Sequence, residues 1–197
     1  TKADLKAIGA VDSAMLISTT IDVAATTDFN GTHNLEVTGT GTSIATSKYR
    51  FTPADLSLNF ATGPAMTEIK VENGDLNIDG QMDCGYNALF AALQKIATMN
   101  SNMMSGKSSL YHLHDYEEVL PRIALDFTCG ENNMLHNFLV FKGIEAKGIE
   151  MGADISKEKG LNIKGDITKF RTAGITLDSI KFATRQNHDR LTYIIGA

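Results

Sequence analysis

The stretch GIEAKGIEMGADISKEKGLNIKGDITKFRTAGITLDSIKFATRQNHDRLTYIIG, Gly143 to Gly196, decides the fold. Its apolar residues fall into four alternating series: Ile149, Met151, Ala153, Ile155; then Leu161, Ile163, Ile167; then Ile175, Leu177 with Ile180, Phe182; then Leu191, Tyr193, Ile195. Period-two alternation marks strands with one apolar face and one wet face. The stretch carries almost nothing with which to do chemistry, so it reads as the building of a surface.

Parity slips inside these runs. Ile167 and Phe170 are three apart, as are Leu177 and Ile180, and Ala146 and Ile149. Each slip turns the following side chains to the wrong face unless a bulge or bend absorbs it, and such bends curve a sheet. The first 83 residues alternate in the same way through Ile17, Ile21, Val23, Ala25; Leu35, Val37; Leu56, Leu58, Phe60; Ile69, Val71; and Leu76, Ile78, Met82. Phe29-Asn30-Gly31, Gly39-Thr40-Gly41, Gly63-Pro64 and Asn73-Gly74 separate the runs as turns, the last a hairpin turn.

Helical spacing replaces alternation at two places. Tyr86, Leu89, Phe90, Leu93, Ile96 and Ala97 share one helical face, with Asp83 as an expected cap and Gly106 as a stop. This predicts one long helix over about 84–104, roughly 30 Å long. Met134, Leu135, Phe138, Leu139 and Phe141 predict a short helix over about 133–142, ending at Gly143. Cys84-Gly85-Tyr86-Asn87 and Cys129-Gly130-Glu131-Asn132 introduce the two helices alike, 45 residues apart, which suggests two repeat-like units over about 1–106 and 107–197. The expected fold is mainly β, a curved antiparallel or mixed sheet forming an open apolar groove, with these two helices.

The whole chain narrows the function classes. At 197 residues and 43% hydrophobic it can bury a core, and a net charge of −5 with scattered Lys and Arg argues against nucleic acid as a partner. No window approaches the roughly 18 to 20 apolar residues of a membrane span. The chain begins at Thr1 without Met, as an excised fragment would. Cys84 and Cys129 read as free, buried thiols rather than a disulfide.

Chemical motifs are sparse. His112 and His114 in Tyr111-His112-Leu113-His114-Asp115 would share a face on a strand, but no third ligand stands at a metal-site spacing. Gly106-Lys107-Ser108 imitates a phosphate-binding loop, yet Ser101 stands where that pattern needs Gly. No nucleophile elbow exists, none of His33, His112, His114, His136 and His188 has a local catalytic signature, and Glu117-Glu118 is a solvated run. We therefore expect no enzyme, no catalytic residue, no metal and no cofactor. Met99, Met103 and Met104, flexible and apolar at the end of the long helix, are the candidates for lipid contact.

From Tyr116 to Ala197 the chain resembles the TamB-like family of the AsmA-like superfamily, in the form found in Bacteroides. The resemblance is carried by the cadence from Asp115 to Phe170, by Asn133, Leu135, Phe138 and Leu139 in the short helix, and by Leu177, Asp178, Ile180 and Phe182 beyond it. It implies a long apolar-lined sheet in the periplasm, tethered to the inner membrane by a helix outside this fragment. It also implies a role in outer-membrane biogenesis: phospholipid transport between membranes, or assembly and secretion of outer-membrane proteins such as autotransporters. The implied partners are phospholipid acyl chains and, through regions outside this fragment, a BamA-like outer-membrane barrel protein. The competing class is an extracellular β-rich adhesion or carbohydrate-binding module; an aromatic content of 7% without Trp weighs against sugar-stacking platforms.

Overall fold

The computed structural model describes residues 2–4, 15–46, 49–106, 115, 118–158, 160–187 and 190–196. Over these residues it is mainly β, with a single open antiparallel sheet and two helices. The strands are β1 (Lys2–Asp4), β2 (Met15–Thr27), β3 (His33–Thr46), β4 (Arg50–Phe51), β5 (Leu56–Thr62), β6 (Thr67–Asn73), β7 (Leu76–Met82), β8 (Ile123–Cys129), β9 (Ile144–Glu145), β10 (Gly148–Ser156), β11 (Gly160–Thr172), β12 (Ile175–Asn187) and β13 (Arg190–Gly196). The helices are α1 (Tyr86–Met104) and α2 (Met134–Phe141). Spatial order follows sequence order, β1-β2-β3-β5-β6-β7-β8-β10-β11-β12-β13, with β4 beside β3 and β9 beside β11.

Both helices interrupt hairpins that close without them. Strands β7 and β8 pair directly, Met82 opposite Ile123, and α1 lies on the excursion between them. Strands β8 and β10 pair from Cys129 opposite Ile149, and α2 with β9 lies on that excursion. The sheet thus continues directly from β7 to β8 and from β8 to β10.

The helix ends follow from sequence with one correction. Gly106 and Gly143 take φ of 68° and 77° and end the helices, as glycine after a helix does. Asn133 caps α2, its side chain accepting from His136 N. Asp83, however, does not cap α1. Gly85 holds that position without a side-chain cap, and Thr62 Oγ1 of the sheet accepts from Tyr86 N at 3.1 Å instead. Asp83 faces Arg122 at 3.7 Å.

Gly39-Thr40-Gly41 is likewise no turn. Strand β3 runs through it, and the pairing with β2 shifts by one residue between Ser18 and Thr20. Gly41 occupies the left-handed region at φ 59°, so the extra residue forms a glycine bulge. Beyond it the odd-numbered apolar series of Leu35 and Val37 becomes an even-numbered one, and Ile44 joins the same face opposite Ile17.

The slips at Ile167–Phe170 and Leu177–Ile180 are resolved differently. They lie opposite one another, Ile167 against Ile180 and Phe170 against Leu177, in a register that never shifts. No residue is looped out. Between the pairs Lys169 adopts φ 52° and its Nζ meets Asp178 Oδ1 at 2.5 Å.

Candidate apolar binding face

Residues directly opposite on antiparallel strands point to one side of the sheet. Following the register therefore traces a continuous apolar face. Val37 pairs with Leu58, Leu58 with Val71, Val71 with Ile78, and Ile78 with Phe127. Phe127 pairs with Met151, Met151 with Gly165, Gly165 with Phe182, and Phe182 with Ile195. The adjacent positions form an equally continuous polar face, Glu72-Asn77-Thr128-Glu150-Asp166-Lys181.

Among the described residues no second layer of strands covers the apolar face. Among the described residues the buried apolar side chains are Ile44, Leu76, Ala92, Met99, Cys129 and Ala146. The face is most open toward its edges, with Val23 on β2 63% exposed and Tyr193 and Ile195 on β13 66% and 78%, while the central Val71, Ile78, Phe127 and Phe182 are half-buried and Met151 is 37% exposed. Exposed apolar patches beyond a few hundred Å² mark surfaces that engage something.

The helices approach this face from its two ends. The start of α1 is held at the β5–β6 turn, where Thr62 and Thr67 bond each other at 2.7 Å and Thr67 Oγ1 donates to Cys84 O at 2.7 Å. The start of α2 is held at the β6–β7 turn. There Asn73 Oδ1 accepts from Met134 N at 2.6 Å, and Asp75 accepts from Asn132 N and from Asn133 Nδ2 at 3.0 and 2.6 Å. Each helix leaves its strand at Cys-Gly and docks onto the turn beside that strand's neighbour, one at each end of the sheet.

Beneath α2 lies a cavity of about 330 Å³. Ile17, Ile21, Val37, Ile44, Phe51 and Leu56 form its sheet wall, and Met134 and Phe138 of α2 its roof. The size falls at the low end of small-molecule pockets. Of the methionines singled out by sequence, Met99 is 7% exposed and packed, Met103 is half-buried, and Met104 is 86% exposed. The cavity draws on Met134 instead. Its signal in the sequence was the Met134–Phe138 spacing of one helical turn, but nothing local told which strands that turn would meet.

The polar face has its own hollow of about 690 Å³ over β8 to β13, with small residues Ala124, Gly152 and Ala183 between Asp126, Lys164 and Arg185. Its lining mixes acidic and basic side chains with small and apolar ones such as Ile163 and Ile194. Among the described residues no group of three or more His, Cys, Asp or Glu could hold a metal ion. His112, His114, Lys107, Ser108, Glu117 and His188 lie outside the described residues. His136 is half-buried on α2, beside Glu131 and Glu145 in a recess of about 260 Å³. His33 Nδ1 sits 3.0 Å from Thr27 Oγ1, with its ring edge-on to Tyr86.

Both cysteines are free. Cys129 is buried, and burial raises its thiol pKa against the opposing Asn133 hydrogen bond; Cys84, only half-buried, is raised by burial and by Asp83. Neither thiol is poised as a nucleophile. No described helix is long and apolar enough to cross a membrane. No protein-family model, curated protein or solved structure matches the chain.

Proposed function

We propose that this chain is an apolar-lined segment of a TamB-like periplasmic protein that shelters phospholipid acyl chains in transit between membranes. The observation that carries the reading is the continuous apolar face from β2 to β13, upon which the described residues lay no second sheet. Such a face needs no specific polar ligands. Each methylene withdrawn from water contributes about 0.8 kcal/mol, so a dozen sheltered on the sheet supply roughly 10 kcal/mol before ordering costs. The reading places the chain in outer-membrane biogenesis, where a role in assembling outer-membrane proteins with a BamA-like barrel is the companion activity.

The test is binding of a fluorescent phosphatidylethanolamine, together with native mass spectrometry of the purified chain. Wild type is expected to carry or take up acyl-chain ligands. Val71→Asp, in the middle of the face, is expected to weaken uptake at least about tenfold, while Lys70→Asp on the opposite face leaves it unchanged. Equal uptake by both variants, or none by wild type, rejects the reading.

A further inference from the structure

The segment that carries α2 rests on a cavity rather than on a core. Six of its eight residues are apolar, yet none of the eight is buried. Phe138 is 38% exposed and Val140 39%. Among the described residues its hydrogen bonds to the sheet are made at its first turn, through Asn73, Asp75 and the fully buried Asn133. At the far end Gly143 turns the chain into β9, whose pairing with β11 consists of Arg171 with Glu145 and Thr172 with Ile144. The ladder between β8 and β10 closes without any of this.

We propose that α2 is a displaceable lid over the apolar cavity, pivoting about the Asn73–Asp75–Asn133 latch. The identity of the occupant, an acyl chain, rests on the function proposed above; the opening of the lid does not. Because no α2 side chain is fully buried, displacing the helix forfeits only partial apolar burial. An occupant between Phe138 and Leu56 supplies the contacts that the unfilled space lacks and thereby favours the closed form.

Amide hydrogen exchange on the full chain tests this. Without ligand, α2 amides are expected to exchange at least about 100-fold faster than those of β7 and β8, and Asn133→Ala to accelerate them about tenfold more with the strands unaffected. Should Asn133→Ala fail to fold, Asp75→Asn takes its place, since it keeps one acceptor oxygen on the latch. Exchange of α2 at the rate of the strands in wild type and variant overturns the lid. Dodecanoate is expected to slow exchange across α2 at least about tenfold. Independent opening of α2 with no protection by dodecanoate upholds the lid and overturns the acyl-chain occupant.

Discussion

Asn133 donates through Nδ2 to Asp75 Oδ1 at 2.6 Å, joining the start of α2 to a hairpin turn 58 positions earlier in the chain. The same side chain accepts from His136 N at 2.7 Å through Oδ1 and so also caps its own helix. A residue that is 0% exposed therefore satisfies two elements at once. Replacing it with alanine leaves Asp75 and His136 N without that partner.

Asn133→Ala is expected to lower stability by about 1–3 kcal/mol, the usual cost of losing a cap and leaving a buried group unsatisfied. Urea denaturation of wild type and variant measures it. A change below about 0.5 kcal/mol would mean that the latch contributes nothing beyond its solvated alternative.

The latch also responds to acid. Partial burial pushes the Asp75 carboxyl up, but hydrogen bonds from Asn133 and from the Asn132 amide outweigh it and hold the pKa below its ordinary 3.8. A group whose folded pKa is depressed contributes stability above its unfolded pKa and loses it as pH falls through the folded one. Exchange of α2 amides, corrected for intrinsic rates, should thus accelerate relative to β7 only as pH drops below about 4. In Asp75→Asn that acid-dependent increment should vanish.

Gly74→Ala tests the close approach of α2 to the β6–β7 turn. Gly74 holds φ 63°, and a Cβ there would run into the Asn132 carbonyl oxygen, which is backbone and cannot swing aside. The expected loss is about 1–3 kcal/mol, combining a left-handed alanine with displacement of α2. A thermal melt reads the loss, and chemical shifts for Met134 to Phe141 report whether the helix has moved.

Lys169 holds φ 52° inside β11, where its ammonium meets Asp178. The ammonium's hydrogen bond and charge lower the Asp178 pKa. Both groups are exposed, so the pair itself contributes little. The backbone decides the outcome: Lys169→Asn should be near neutral, whereas Lys169→Val should destabilise by more than about 1 kcal/mol because a β-branched residue resists positive φ. Equal stabilities in urea for the two variants would contradict that assignment.

Alternation was legible wherever one face was dry. Ile149, Met151, Ala153 and Ile155 lie in register with Ile167, Gly165, Ile163 and Leu161 because their spacing leaves one pairing that keeps apolar side chains together. The Asn73-Gly74 turn and both helices were legible from local chemistry. Gly39-Thr40-Gly41 misled, since a glycine bulge and a glycine turn use the same residues and differ only in whether distant β2 continues alongside. Asp83 misled because Thr62, a residue of a different hairpin, supplies the acceptor at the start of α1. The cavity was illegible for the same reason: Met134 comes to line one cavity with Ile17 and Ile44 only after the strands between them have set the distance.

Since each main strand lies beside the one made just before it, the sheet can be assembled in the order of synthesis or export. Every new strand finds its template already paired, and the two long detours, through α1 and α2, come back to the edge they left. Contacts of this kind are short in sequence, which favours rapid zipping over a search for remote partners. Each strand is therefore free to pair as soon as it is made, without waiting for the last residue.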